Sequence, residues 1–258
     1  MLRKYPRTRH LLGSRLQPGD HDLAAVPFAE LRGRHIVIEE KVDGANCGIR
    51  FDADATLRLQ SRGHTLVGGP RERQFDRLKR WAASIVNNEL FDALGDQYVL
   101  YGEWTYAKHT VFYDALPHHF LEFDVLDTAT DRFLETPRRR QLLAGVPLTS
   151  VPVLWSGPAT TADALTAWAG PSAFATPAAP AKLREAAVRL GLDPDVVARQ
   201  SDATGRMEGL YIKVEQDGVV VDRLKWVRAD FTAQVLAGDD HWHDRPIVPN
   251  QLAHHAGV

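Results

Sequence analysis

Along the chain, short apolar runs alternate with turn residues before the pattern changes period. Residues 35 to 40 form an apolar run, and 47 to 51 and 56 to 61 read as strands with acidic turn residues between them. From Arg71 to Leu90 the period becomes helical, with Phe75, Leu78, Ala82, Ile85 and Val86 on one face, which predicts a helix packed on a sheet. Strand patterns return at QYVLYGEW, HHFLEFDVLD, GLYIKVE and GVVVDRLKWV. Between them, an alanine- and proline-rich stretch near 170–200 predicts a loop and two short helices, the second opening at Asp193 with Pro194 in its first turn. Strand signals flank this stretch, so it reads as an insertion within one domain, and no internal repeat is evident.

With 258 residues and 44% hydrophobic content, the chain is long enough to bury a full core. No long apolar run predicts a membrane span. The start, MLRKYPRTRHLLGSR, is basic but lacks the apolar segment of a secretory signal. Its cations read as surface groups, with Arg3, Lys4, Arg7 and Arg9 available to a polyanion. One cysteine, Cys47, excludes an internal disulfide framework and a cysteine-based zinc site, and it predicts a reducing, cytoplasmic setting. Its apolar surroundings mark Cys47 as a small core residue. The balance of 31 basic against 33 acidic residues argues against bulk electrostatic coating of nucleic acid and leaves room for a local basic groove.

The chemistry concentrates in IVIEEKVDGANCGIRF. Within six residues it offers an amine, Lys41, a carboxylate, Asp43, and a glycine turn, where a strand ends. Taken alone, the string also describes a surface lysine at a hairpin turn. Carrying a nucleotide on lysine requires the base held, the ribose fixed, the triphosphate neutralised and the amine unprotonated. An ordinary lysine titrates at about 10.4, so nearby cations are expected to lower it.

The rest of the chain supplies such groups in order. Arg62 in SRG ends a strand with a guanidinium suited to ribose or phosphate oxygens, and Glu103 in YGEW places a carboxylate at a strand end. Phe123 in FLEFDVLD offers a ring on which a purine can stack. Glu208 and Lys213 bracket EGLYIK, and Lys225 adds an ammonium on the next strand. Each has a plainer reading: Arg62 a solvated charge, Phe123 a core residue, Glu208 a turn acid. Lys108 and His109 either contact a nucleic acid end or lie in a solvated loop, and His241, His243, His254 and His255 read as surface histidines.

Taken together, KVDGAN, SRG, YGEW, FLEFDV, EGLYIK and LKWV resemble six motifs of the covalent nucleotidyltransferase superfamily of polynucleotide ligases and capping enzymes, and within it the ATP-dependent RNA ligases. The resemblance runs from the strand before Lys41 to about Phe231. It implies an α+β fold with antiparallel sheets, flanking helices and the nucleotide site between them. It implies Lys41 as the adenylylated residue, Glu40 as an adenine reader, Arg62 and Glu103 on ribose and phosphates, and Phe123 on the base. Lys213 and Lys225 would bind the α-phosphate, and Glu208 with Asp43 would place Mg2+ or Mn2+. Asn46 stands where DNA ligases and capping enzymes usually carry arginine, and so favours RNA ligation.

The expected activity is ATP-dependent joining of 5′-phosphate and 3′-hydroxyl RNA ends in RNA repair, with an end-healing kinase or phosphatase as partner. The alternatives are a DNA ligase, a capping-type enzyme, or an inactive binding module. The chain departs from the pattern at Val227, where a second lysine is usual, with Arg228 or Arg223 as substitutes. The stretch after Phe231 is too short for an appended oligonucleotide-binding domain, so residues 1–258 are expected to form one catalytic domain.

Overall fold

The computed structural model describes residues 2–16, 23–84, 86–231 and 246–253. Eleven strands form one sheet: β1 (Arg9–His10), β2 (His35–Lys41), β3 (Ala45–Phe51), β4 (Leu57–Ser61), β5 (Tyr98–Trp104), β6 (Phe120–Asp127), β7 (Arg132–Leu134), β8 (Thr149–Ser150), β9 (Val153–Pro158), β10 (Gly209–Gln216) and β11 (Val219–Val227). The order is β4-β3-β5-β6-β7-β11-β10-β2-β9, all antiparallel along this path, with β1 beside β11 and β8 beside β6 in parallel. Two half-sheets result, β4-β3-β5-β6 and β11-β10-β2-β9, joined through the three-residue β7.

This layout changes the meaning of KVDGAN. β2 pairs with β10 and β9, whereas β3 pairs with β4 and β5, so residues 42–44 are not a hairpin turn but a crossing from one half-sheet to the other.

Each half buries its own apolar face. On one, Cys47, Ile49, Phe51 and Leu59 pack against Leu78 and Ala82 of α1 (Asp76–Ala82) and Leu90 and Leu94 of α2 (Val86–Leu94). On the other, Ile36 and Ile38 meet Leu210, Ile212 and Val214 at alternate positions, as one face of a sheet requires. Fully burying a side chain of this size contributes about 1.5–3 kcal/mol. The middle strand β6 is buried along its whole length.

The helix expected over 71–90 is instead a 3-10 turn, Pro70–Phe75, then α1, a break, and α2 running on to Leu94. Side chains at the break compete for helix carbonyls: Ser84 Oγ donates to Trp81 O at 2.6 Å and Asn87 Nδ2 to Ala82 O at 3.4 Å. Phe75, Leu78 and Ala82 are buried as expected, while the side chains at 85 and 86 lie outside what is described.

The pattern missed α3 (Thr136–Leu142) and the edge strand β9, whose Gly157 and Pro158 interrupt any alternation. The alanine- and proline-rich stretch carries the two expected helices, α5 (Ala179–Arg189) and α6 (Pro194–Arg199), and α4 (Ala162–Thr166) precedes it. As expected, α6 is capped by Asp193, whose side chain accepts from the Asp195 and Val196 amides. No described helix is long and apolar enough to cross a membrane. His241, His243, His254 and His255 lie outside the described residues.

Candidate active site

Between the half-sheets lies a cleft of about 1620 Å³. This exceeds the usual 300–1,000 Å³ of a small-molecule pocket, leaving space for a second substrate beside a nucleotide. β2, β10 and β11 bring Lys41, Glu208 and Lys225 to it; β3, β5 and β6 bring Asn46, Glu103 and Phe123 from the opposite side. Asp43 and Arg62 also line it.

Strand register explains the convergence. Gly209 stands opposite Lys41 on one side and Val227 on the other. A Cβ on Gly209 would meet the Trp226 carbonyl oxygen at 2.0 Å, so only glycine permits this approach. Glu208, just ahead of it, thereby reaches Lys41, whose Nζ donates to Oε2 at 2.5 Å. Across the cleft Asn46 pairs directly with Glu103. The crossing is fastened by Asp43: its Oδ2 accepts from the Thr110 and Val111 amides at 2.7 and 2.8 Å, and its own amide donates to Tyr113 Oη at 2.8 Å.

The charge state of Lys41 differs from the expectation. Burial lowers its pKa, but Glu208, then Glu103 and Asp43, outweigh that and hold the ammonium above the ordinary lysine value. The groups that act on it most strongly are carboxylates, Glu208 first. Glu103 answers in the opposite sense: burial, reinforced by Asp43 and Glu208 against Lys41 and Arg62, pushes its carboxyl up to about 8.

Glu40, on the strand parity of Ile36 and Ile38, also borders the cleft. It accepts from Ser172 Oγ at 2.5 Å and the Ala173 amide at 3.0 Å, tying the insertion to the residue before Lys41. Burial raises its pKa. Phe123, 9% exposed, lines the cleft and is propped edge-on by Tyr5, with ring centroids 5.3 Å apart at 86°.

Lys213, expected at the α-phosphate, and both candidates for the second cation, Arg228 and Arg223, are elsewhere. Lys213 lies beneath the cleft floor, 2.9 Å from Glu39 Oε2 and 3.0 Å from Asp124 Oδ1, and it also donates to the Phe123 carbonyl. These partners hold it one register step away from the opening. Arg228 is buried against Asp202, with its Nε donating to Met207 O at 2.8 Å. Arg223 stacks 3.7 Å over the Phe133 ring. Neither arginine lines the cleft, so neither replaces the lysine absent at Val227.

The structure adds residues that motif spacing does not mark. Tyr5 and Thr8 line the cleft from the amino-terminal segment, and Arg73 lines its rim. Tyr5 Oη donates to Asp124 Oδ2 at 2.5 Å and contacts Tyr211 Oη. The amino-terminal cations are partly engaged within the fold, Arg9 with Asp222 at 2.8 Å and Arg3 with Asp131 at 3.7 Å. His109 lines the cleft, and Lys108 Nζ donates to His109 O and Gln200 O at 2.9 and 3.1 Å, so this loop is structured rather than solvated. Cys47 is fully buried.

Comparison with solved structures places this fold among RNA ligases. A Naegleria gruberi RNA ligase variant with ATP and manganese matches at a TM-score of 0.50 and 18% identity, over 78% of this chain and 52% of that one. A second variant of that ligase, with AMP and manganese, matches at 0.51 and 17%, over 88% and 56%. An archaeal ATP-dependent RNA ligase matches at 0.49 and 19%, over 88% and 48%. The chain thus spans about half the length of these proteins. No curated protein matches the chain. The RNA ligase family model matches residues 34–227, three-quarters of the sequence and all six motif strings, and the chain belongs to the RNA ligase family.

Proposed function

We propose that this protein is an ATP-dependent RNA ligase that seals 5′-phosphate to 3′-hydroxyl ends through an AMP carried on Lys41. The observation that carries the reading is Lys41 itself. It stands at the end of β2 in a cleft where Glu208 and Lys225 converge from one half-sheet and Asn46, Glu103 and Phe123 from the other.

In the first step the Lys41 amine, having lost a proton, forms a bond to the α-phosphorus of ATP while the bond to pyrophosphate breaks in line. Phe123 stacks on the base, Arg62 holds ribose or phosphate oxygens, and Lys225 offsets charge on the α-phosphate. The AMP then passes to a 5′-phosphate, and a 3′-hydroxyl displaces it to form the phosphodiester. In the free protein Glu208 holds the Lys41 proton, so nucleotide binding must weaken that pair before attack.

A divalent ion suits this site if it brings most of its own ligands. Among the described residues no group of three or more His, Cys, Asp or Glu is arranged to hold a metal alone. Asp43, Glu103 and Glu208 nevertheless all act on Lys41. Magnesium and manganese sites of this kind use one or two carboxylates, with waters and substrate phosphates completing the shell. When bound, the ion would supply charge stabilisation at the phosphates.

The chain as a whole is read as one catalytic unit acting in RNA repair. A reducing, cytoplasmic setting accords with its single buried thiol. Ends bearing the wrong phosphates would need a kinase or phosphatase partner.

The test is incubation with α-labelled ATP and a divalent metal. An acid-labile adduct mapping to the Lys41 peptide, absent in Lys41→Ala, is expected. No adduct in the wild-type protein would overturn the reading, and comparing RNA with DNA nicks and ATP with GTP would expose a DNA-ligase or capping activity.

A further inference from the structure

The cleft opens toward a cationic face that no motif marks. Arg73 lines the cleft rim within the 3-10 turn that leads directly into α1, and Arg77 and Arg80 follow at four- and three-residue spacing. Within α1 the three-residue spacing puts Arg77 and Arg80 on one face, with Arg73 just ahead of them in the 3-10 turn. All three are exposed, while Phe75, Leu78 and Ala82 take the buried face. At 1.5 Å per residue the stripe runs about 10 Å from the rim.

The charges on this stripe are unspent. Among the described residues, none of Arg62, Arg73, Arg77 and Arg80 has an ion pair with a carboxylate. Of the neighbouring acids among the described residues, Glu72 is buried on Lys79 at 2.6 Å and on the Gly68 amide at 2.8 Å, which leaves exposed Asp76, 3.9 Å from the same Lys79, as the one acid beside three arginines. An aromatic group completes the face. Arg77 Cζ lies 4.9 Å from the ring centroid of Tyr106, two residues beyond β5, and that ring rests edge-on against His119 at 5.4 Å and 87°. A guanidinium stacked on a ring is held in orientation while its N–H groups stay open to phosphate oxygens.

We propose that the Arg73–Arg77–Arg80 face, with Tyr106 beside it, binds the backbone phosphates of the RNA strand whose end enters the cleft. The assignment rests on the ligase reading of the cleft. Two observations favour a polynucleotide. The stripe is continuous with a cleft larger than a nucleotide needs, and the unpaired guanidinium groups match phosphate in charge and geometry. The protein's overall charge of −2 makes such binding local to this face.

The test uses the double variant Arg77→Ala/Arg80→Ala, since neither residue lines the cleft, and its Arg77→Lys/Arg80→Lys counterpart. Binding of a labelled 5′-phosphorylated single-stranded RNA is measured across a salt series, with labelling by α-labelled ATP in parallel. The alanine variant is expected to label as wild type, to bind RNA about tenfold more weakly, and to lose about 1.4 from the log–log salt slope, about 0.7 for each phosphate contact on a single strand. The lysine variant keeps most of the slope.

Unchanged affinity and slope in the alanine variant would overturn the proposal. So would loss of labelling in that variant, which would place the arginines in the ATP site or the fold. If the wild-type protein takes no label, the ligase reading fails on its own, and the salt slope still decides whether this face binds RNA.

Discussion

Lys41 Nζ and Glu208 Oε2 stand 2.5 Å apart, and this pair keeps the nucleophile protonated in the free protein. Replacing Glu208 with Gln removes the strongest influence raising the Lys41 pKa and leaves burial, which lowers it. The amine should therefore titrate at lower pH in E208Q. Reaction of the Lys41 peptide with an amine-modifying reagent across a pH series reads this directly, and an unchanged profile would show that Glu208 does not control the proton.

Glu103 gives a second pH signature. Its carboxyl is pushed up to about 8 from the ordinary value of 4.5, so between those two pH values the folded state binds more protons at this site than the unfolded state. Stability then falls as pH rises through that window. Glu103→Gln should flatten the fall, raising Tm relative to wild type at pH 8–9 and changing little at pH 5. Parallel Tm curves for the two proteins would rule out the raised carboxyl.

Beneath the cleft, Arg139 lies fully buried between Glu39 Oε1 at 3.0 Å and Glu122 Oε2 at 3.3 Å, and these acids hold it charged. Arg139→Met leaves two buried carboxylates short of a counter-charge, which costs about 3–5 kcal/mol. Urea unfolding should show the midpoint fall by the corresponding amount. A loss under 1 kcal/mol would mean that water reaches the site.

Tyr5 anchors the amino-terminal segment through its hydroxyl, which donates to Asp124 Oδ2. Tyr5→Phe keeps the ring against Phe123 but leaves the buried acid without that donor, at about 1–3 kcal/mol. The same urea experiment measures it. If stability holds and ATP binding is also unchanged, the segment is not part of the site.

Gly209→Ala probes the strand approach that seats Glu208 beside Lys41. The added Cβ meets a backbone oxygen at 2.0 Å, so β10 and β11 must separate. Both Tm and labelling of Lys41 by ATP are expected to drop; a variant that labels normally would show that Glu208 is placed by other means.

Short-range information made much of this legible. Alternation located β2, β3, β4, β5, β6, β10 and β11, and the motif strings found residues that meet in the cleft. What stayed hidden depends on distant partners. KVDGAN looks like a hairpin because its turn is local, whereas its crossing is set by pairing with β10 and β5, far along the chain. Arg139, in the basic string TPRRRQL that no motif marks, is buried because Glu39, 100 residues away in sequence, waits beneath the sheet. Lys213 has the strand parity of Tyr211 but lies one step further from the opening, where Glu39 and Asp124 claim it. The charge of Lys41 likewise depends on acids from three separate segments.

The three-residue β7 is the strand link between the half-sheets that face each other across the cleft. A nucleotide gripped from both sides would act as a second clasp, so occupancy and cooperativity of unfolding become one quantity. Each tenfold rise in free ligand above its Kd would add about 1.4 kcal/mol to the folded state. The melting of this protein is thus a titration of its cleft, able to rank nucleotides without any turnover being measured.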